Sequence, residues 1–141
     1  MTKGKYLCLD YGEKRVGIAL SDFDKALVFP RDPIVYKTPA GLRESLSALC
    51  RAEQVVKIII GLPLAMDGAW GEKAKKVIVF GEKLKTLLPG IAIEYFDERL
   101  TTMGSAKTLR AAGVKAKRQK GMIDSVSAHL ILTTYLKSLK G

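Results

Sequence analysis

The sequence predicts one α/β domain over residues 1–141, with a mixed five-stranded sheet of three antiparallel strands followed by parallel strands, and helices packed on it. The first reason is length, because a chain of 141 residues removes about 70% of its unfolded surface from water. The second is composition: 48% hydrophobic, 27% charged and 7% aromatic residues exclude a disordered, collagen-like or membrane-spanning protein. The third is element order, because strand and helix patterns alternate after the first three strands, and such crossovers build parallel neighbours.

The first three strands are expected to form a meander. Lys5–Asp10 and Val16–Ser21 are strand-like runs, and the short connection between them contains Gly12, which suits a hairpin. Val28–Tyr36 holds two prolines, which lack backbone donors, so this third strand is predicted at an edge of the sheet.

Two helices with a strand between them are predicted next. Gly41–Gln54 repeats apolar residues at helical spacing, and Val55–Leu62 is almost continuously apolar, as in a strand covered on both faces. The second helix is predicted over Glu72–Leu88 and ends at Pro89-Gly90. Its inward side chains are predicted to be Val77, Phe80, Leu84, Leu87 and Leu88.

The remaining segments complete the alternating pattern. Small hydroxyl residues and glycines at the segment ends are typical helix caps. The segments are a strand over Ile91–Phe96, a helix from Thr101 or Thr102 to Ala112 with Gly113 as its C-terminal cap, a basic loop, and a last helix over Ile123–Leu139.

The charge of the chain points to a polyanionic partner. It carries 24 Lys and Arg against 14 Asp and Glu, a net charge of +10 and a pI near 9.7, which favours nucleic acid. The apolar run that Asp10 ends is too short for a signal peptide or membrane span, so we expect a cytoplasmic protein. Cys8 and Cys50 show no metal spacing and are expected to be buried, and with His129 as the single histidine a zinc site is not expected.

Three carboxylates are the candidate catalytic residues and metal ligands. Asp10 closes the first strand, Glu98 follows the last strand and Asp124 opens the last helix, so all three can meet at one edge of the sheet. Like charges repel unless a cation neutralises them, and oxygen ligands without histidine favour Mg²⁺ or Mn²⁺. Two such ions can catalyse hydrolysis of a phosphodiester.

Each of these positions also has a simpler structural interpretation. Asp10 can initiate a turn, Asp97 is a rival to Glu98 as ligand, and Asp124 at a helix N-terminus is explained by the helix dipole alone. Gly61 is either a turn at a strand end or a place where a nucleic-acid backbone approaches closely. Spacing alone leaves these alternatives open.

Basic and aromatic residues give a candidate nucleic-acid surface. Trp70 packs on the body of the protein or stacks on a base, and packing is favoured; Asp67-Gly68 is expected to be a turn. The run from Lys107 to Lys120 contains no acid, which favours phosphate contact over solvated surface charge. The candidate nucleic-acid-binding residues are Lys14, Arg15, Arg99, Lys115, Lys117, Arg118 and Lys120.

Four motifs in this order resemble the YqgF/RuvX family over nearly the whole chain. They are LDYGEKRVGIALSD from Leu9 to Asp22, IIIGLPLAMDG from Ile58 to Gly68, FDERLTT from Phe96 to Thr102, and KGMIDSVSAHLIL from Lys120 to Leu132.

The resemblance implies a ribonuclease-H-like fold with helices on both faces of the sheet, related to the RuvC Holliday junction resolvases. It implies a nuclease of the bacterial cytoplasm that matures the 5′ end of the 16S ribosomal RNA precursor. Asp10, Glu98 and Asp124 correspond to the family's acidic catalytic residues, which is the main reason to prefer Glu98 over Asp97. Trp70 departs from the family pattern, which has a small or polar residue in this loop.

Three other functions compete with RNA processing. The Asp-Tyr-Gly motif also resembles the first phosphate loop of actin-like ATPases, but those enzymes close two such domains around ATP and 141 residues supply one. A Holliday junction resolvase acting on four-way DNA is the nearest alternative, and it requires a dimer. A non-catalytic RNA-binding module is the third. We expect a monomer or weak homodimer.

Overall fold

The computed structural model describes residues 4–101 and 116–140 and, in the second range, the side chains from Ser125 onward. The elements follow the predicted order, and most of their ends lie within two residues of the predicted ones. They are β1 (Lys5–Tyr11), β2 (Arg15–Ser21), β3 (Val28–Val35), α1 (Pro39–Glu53), β4 (Val55–Leu62), α2 (Glu72–Leu87), β5 (Ala92–Asp97), a 3-10 turn (Glu98–Leu100) and α3 (Ala116–Leu139).

The sheet has five strands in the order β3-β2-β1-β4-β5. β1 pairs antiparallel with β2, which pairs antiparallel with β3. β1 also pairs parallel with β4, which pairs parallel with β5. The mixed sheet is therefore confirmed. β3 lies at an edge, where the missing backbone N–H groups of Pro30 and Pro33 do not interrupt the pairing of the central strands.

Alternation along the central strand divides the core between the two faces of the sheet. Leu7 and Leu9 belong to the cluster under α1 and α2, whereas Cys8 belongs to the cluster under α3. Helices on both faces are thus confirmed. Cys8 and Cys50 are buried free thiols, as predicted.

The prediction of an inward-facing side chain is wrong for one residue of α2. Leu87 is 46% exposed, whereas Leu84 is fully buried and Leu88 packs against the core. Leu88 follows Leu84 by four residues and continues the inward stripe, while Leu87 falls outside it in the last turn. The helix ends before Pro89-Gly90, as predicted.

The last helix begins much earlier than predicted. α3 starts at Ala116 rather than at Ile123, so residues 116–120 of the predicted basic loop are helical. Lys, Arg and Gln are good helix formers, and they extend the helix without contributing the apolar stripe from which its start was inferred. The helix predicted from Thr101 or Thr102 to Ala112, with Gly113 as its cap, lies outside the described residues beyond Thr101.

Polar contacts attach α3 to the sheet near both ends of its described part. The Tyr135 hydroxyl donates to Glu94 of β5 at 2.6 Å, and the Lys57 ammonium of β4 donates to both. The buried Ser125 hydroxyl donates to the carbonyl of Arg31 on β3. Within the described ranges, no helix is long and apolar enough to cross a membrane.

Candidate active site at the carboxyl edge of the sheet

The carboxyl ends of β1, β4 and β5 meet at one edge of the sheet. Leu9 pairs with Ile60, so Asp10 lies beside Gly61, and Gly61 pairs with Phe96 two residues before Glu98. Asp10 is the penultimate residue of β1, which continues to Tyr11 rather than closing at Asp10. Parallel strands therefore bring two of the three predicted acids to the same edge.

Asp10 and Glu98 both lie on the face of the sheet that α3 covers. Asp10 is two residues beyond Cys8, which is buried against α3, and therefore lies on the same side of β1. A Cβ placed on Gly61 would lie 3.1 Å from Cγ of Glu98 and 2.7 Å from Cδ1 of Ile131 on α3. The missing side chain of Gly61 thus leaves the space that Glu98 occupies.

The structure decides one of the two alternatives that the sequence left open for Gly61. β4 continues through Gly61 to Leu62, so the glycine is not a turn. The side chains that approach it closely are those of Ile131 and Glu98, and approach by a nucleic-acid backbone stays a prediction. The sequence signal for this role was a glycine inside an otherwise β-branched strand.

Burial shapes the electrostatics of the acid pair. Burial raises the pKa of Glu98 above its usual range, the Lys73 ammonium opposes this rise, and Asp97 adds to it. Burial also raises the pKa of the Cys8 thiol, and the charges of Asp10 and Glu98 raise it further. The strand register places Asp10 next to Gly61, and Glu98 packs against Gly61, so both carboxylates belong to one site. The raised pKa keeps the Cys8 thiol protonated.

The rival acid Asp97 is engaged elsewhere. Its side chain accepts a hydrogen bond from the backbone N–H of Arg99 at 2.9 Å and pairs with the Arg99 guanidinium at 2.7 Å. These bonds to Arg99 hold the pKa of Asp97 below its usual range. Of the two neighbouring acids, Glu98 is therefore the one that packs against Gly61 beneath α3.

Arg99 also connects this edge to the loop of residues 63–71. Its guanidinium donates to the carbonyl of Met66 at 3.2 Å. Asp67 accepts from the N–H of Ala69, and Gly68 has φ of +87°, so the predicted Asp67-Gly68 turn is confirmed. In the described structure Arg99 holds two loops together, and its predicted contact with nucleic acid stays a prediction.

The third predicted acid lies on the helix that covers the site. Asp124 was expected at a helix N-terminus, but it lies well inside α3, one turn before the buried Ala128. Because the dipole acts within the first turn, it does not account for an acid at this position. The side chain of Asp124 lies outside the described residues, as do those of Lys115, Lys117, Arg118 and Lys120.

Other predicted and unpredicted cations lie around the same edge. Lys14 is exposed in the β1–β2 connection, next to the partly buried Arg15, and their roles stay predictions. Sequence reasoning missed Lys73, which lies in the first turn of α2 and acts on Glu98. A lysine at the start of a helix that follows a central strand was the available signal.

The donor set suits a hard divalent cation. Asp10 and Glu98 offer carboxylate oxygens, and the nearby Cys8 offers only a protonated thiol. Among the side chains that the structure describes, no three His, Cys, Asp or Glu residues are grouped to hold a metal ion. Asp10 and Glu98 belong to that part of the chain, whereas the side chain of the third predicted ligand, Asp124, lies outside it.

The chain resembles a defined group of proteins. The family model RuvX, described as Holliday junction resolvase, matches residues 4–138. A relative from Nocardia farcinica is 36% identical over 140 residues, 95% of this chain and 78% of the relative. One from Halothermothrix orenii is 38% identical over 128 residues, 91% of both chains. Both relatives carry the provisional name of pre-16S rRNA nuclease.

Solved structures share the fold at low sequence identity. RuvC of T. thermophilus in complex with a Holliday junction has a TM-score of 0.61 at 8% identity, covering 98% of both chains. The Fowlpox virus resolvase has a TM-score of 0.60 at 11% identity, covering 97% of this chain and 99% of that one. These likenesses bear out the predicted ribonuclease-H-like fold, and with the family match they lead to one conclusion: the chain belongs to the RuvX family.

Proposed function

We propose that this protein is a divalent-metal-dependent nuclease that processes the 5′ end of the 16S ribosomal RNA precursor. The observation that carries the proposal is the acid pair: Glu98 is partly buried beside Gly61, next to Asp10, at the carboxyl edge of three parallel strands. The provisional name of the relatives supplies the RNA substrate. The net charge of +10 suits a polyanionic one.

The pair is suited to a metal because burial disfavours the charged form of Glu98. Burial and the charge of Asp97 raise the pKa of Glu98, and a bound cation would offset both effects by stabilising the charged form. We assign Asp10, Glu98 and Asp124 as the ligands. Mg²⁺ or Mn²⁺ bound by them would activate the attacking water and stabilise the leaving oxygen of the phosphodiester.

The protein supplies the geometry around these ligands. Glu98 and Ile131 of α3 both pack against the bare backbone of Gly61, and Gly61 neighbours Asp10 in the sheet. The contacts of Ser125 and Tyr135 hold α3, and with it Asp124, over the sheet. The exposed Lys73 lies within electrostatic reach of Glu98, where it would contact a substrate phosphate.

Resolution of four-way DNA junctions is the second candidate function. The description of the family model and the fold shared with junction resolvases favour it. Both functions use the same metal chemistry, so the site itself does not distinguish them. Junction resolution needs two active sites that act on paired strands, hence a dimer.

One cleavage experiment tests both functions. A labelled precursor 16S 5′ fragment and a labelled four-way DNA junction are each incubated with wild type in Mg²⁺, Mn²⁺ or EDTA. We expect metal-dependent cutting of the RNA at one position, lost in EDTA. Symmetric nicking of the junction, without RNA cutting, would transfer the assignment to a resolvase.

Two variants identify the residues responsible. Asp10→Asn removes one proposed ligand and is expected to abolish cleavage while nucleic-acid binding persists. Asp97→Asn is the matched control, because Asp97 neighbours Glu98 but is bound to Arg99, and it is expected to keep most of the activity. Full cleavage by Asp10→Asn would remove the acid from the mechanism, and binding without any cleavage by wild type would favour an RNA-binding module.

A further inference from the structure

The loop of residues 63–71, which contacts Arg99, places two large apolar side chains in solvent. Trp70 is 52% exposed and Met66 is 89% exposed. Single exposed apolar side chains are ordinary, but apolar side chains that share one loop can form a surface that a partner covers. The flat face of an indole also offers an area on which another ring can stack.

Hydrogen bonds hold the loop in one shape. The N–H of Ala65 donates to the carbonyl of Ala69 at 3.0 Å, and the N–H of Gly68 donates back to Ala65 at 2.8 Å. Asp67 accepts from the N–H of Ala69 at 2.9 Å. Trp70 directly follows this closed turn and directly precedes Gly71, the N-cap of α2, so both of its chain neighbours belong to defined structure.

Arg99 fixes the loop relative to the acids. Its guanidinium bonds at once to Asp97, the neighbour of Glu98, and to the carbonyl of Met66. A Cβ on Gly68 would lie 3.4 Å from the same guanidinium, so the turn lies directly against it. Arg99 thus attaches the apolar loop to the segment that carries Glu98.

Charge on this surface suits a nucleic-acid strand. Lys73, in the first turn of α2, lies three residues after Trp70 and acts on Glu98, so a cation accompanies the exposed indole near the proposed site of cleavage. Aromatic side chains next to cations are the usual elements of single-strand binding, because bases stack on the ring while phosphates meet the charge.

We propose that the Trp70 indole stacks on an unpaired nucleobase of the substrate strand, next to the phosphate that the acid pair cleaves. The inference rests on the proposed nuclease function and deepens it, because the enzyme would then require an unpaired nucleotide beside the cut. A base within a duplex is already stacked on its neighbours and is not available to the indole. RNA and DNA share this chemistry, and the test separates them.

The chain is well suited to a direct test because Trp70 is its one tryptophan. A stacked base quenches indole fluorescence. Excitation at the red edge of the indole absorption band, where the five tyrosines absorb little, makes the emission report on this side chain. The wild type is titrated in EDTA, where no strand is cut, with a single-stranded RNA, a DNA of the same sequence and the corresponding duplexes. Fluorescence anisotropy of labelled strands measures total binding in parallel.

We expect both single strands to quench the emission and the duplexes to quench it much less at equal saturation. RNA quenching alone would place the specificity in the ribose contacts, with the stacking retained. Moving a single abasic position along the strand should abolish quenching at one position and leave it at the others. Binding without quenching, or quenching that no abasic position affects, would overturn the stacking while leaving the nuclease function intact.

Variants give an independent readout. Trp70→Ala should weaken single-strand binding by about 5- to 150-fold, the equivalent of one lost stacking contact, and Trp70→Phe should restore most of it. Phe23→Ala is the matched control, because Phe23 is 49% exposed but lies in the β2–β3 turn at the opposite edge of the sheet. Equal binding by Trp70→Ala and wild type would overturn the proposal. Failure of wild type to bind any strand would overturn the nuclease function together with it.

Discussion

The two faces of the sheet differ in what their buried side chains are. In the described part of the chain, the face under α1 and α2 holds a continuous cluster of aliphatic residues with Phe80. The face under α3 holds a smaller apolar cluster, and beside it lie Lys57, Glu94 and the acids Asp10 and Glu98. One face therefore supplies most of the hydrophobic stabilisation, and the other accepts poorly solvated charge.

The difference shows how a small domain keeps a charged site without losing its fold. Burying a carboxylate costs free energy unless a partner compensates it. The apolar face can offset that cost because Leu9 and Leu46 are fully buried there and contribute without any polar group. Substitutions on the two faces should therefore separate into losses of activity and losses of stability.

The largest effect is expected when two glutamates are compared, Glu98 directly after β5 and Glu94 within it. Glu98→Gln should reduce cleavage on the order of 100- to 1,000-fold, because it removes a proposed metal ligand. Glu94→Gln should change cleavage little, because Glu94 pairs with Lys57 and Tyr135 away from the acid pair. Single-turnover cleavage at saturating Mg²⁺ measures both, and equal losses in the two variants would contradict the division.

The converse change belongs to the apolar face. Leu46→Ala removes a fully buried side chain of α1 and should lower the free energy of unfolding by about 2 to 5 kcal/mol. Cleavage per folded molecule should stay unchanged. Urea denaturation gives the first quantity, and active-site-normalised kinetics give the second. A loss of activity greater than the folded fraction explains would show that the two faces are coupled.

Substitution of Gly61 is expected to reduce both stability and activity. Gly61→Ala places a methyl group 2.7 Å from Cδ1 of Ile131 and 3.1 Å from Cγ of Glu98. The crowding should cost about 1 to 3 kcal/mol of stability, and displacement of Glu98 should slow cleavage by up to about 100-fold. Gly90→Ala is the control, because a Cβ there meets no atom of the described residues within 4 Å. Similar kinetics in both variants would mean that Glu98 is not held by this contact.

The smallest effect is a pH dependence on the α3 face. The Tyr135 hydroxyl, followed by Lys57, holds the pKa of Glu94 below its usual range. Upon acidification the unfolded chain therefore takes up this proton first, so the stabilisation is present above about pH 4.5 and is lost as pH falls through the lower, folded-state pKa. The free energy of unfolding, measured from pH 6 to pH 3, should fall less steeply with decreasing pH for Glu94→Gln than for wild type. Parallel curves would show that Glu94 contributes nothing to acid sensitivity.

Much of the fold was predictable because periodicity and turn residues agree along most of the chain. The run over Val55–Leu62 has the predicted bounds, and the prolines of β3 placed it correctly at an edge. The start of α3 was not predictable from an apolar stripe, because residues 116–120 are polar helix formers that carry no such pattern. The prediction that Leu87 is buried was wrong because the helix can be inferred equally well with or without this residue in its apolar stripe.

The candidate site was predictable in its residue types but not in its contacts. Asp10 and Glu98 follow from their places at strand ends, whereas the choice against Asp97 depends on which side chain Arg99 engages. The fit between Gly61 and Glu98 depends on the register of β4 against β5, which no single segment encodes. Lys73 became relevant only when α2 was placed next to that edge.

The strand order has a consequence for how the protein is made. Asp10 lies on the central strand β1, whose parallel neighbour β4 begins only at Val55 and whose covering helix α3 extends to Leu139. Chains emerge from the ribosome from the N-terminus onward, and pairing of distant segments is slow because long loops must close first. A chain interrupted before Val55 has the first acid without its parallel neighbour, and a chain interrupted before Ala116 lacks the covering helix and Asp124. Under the proposed function, no nascent fragment could cut the ribosomal RNA around it, and activity would begin only after synthesis and folding of the whole domain.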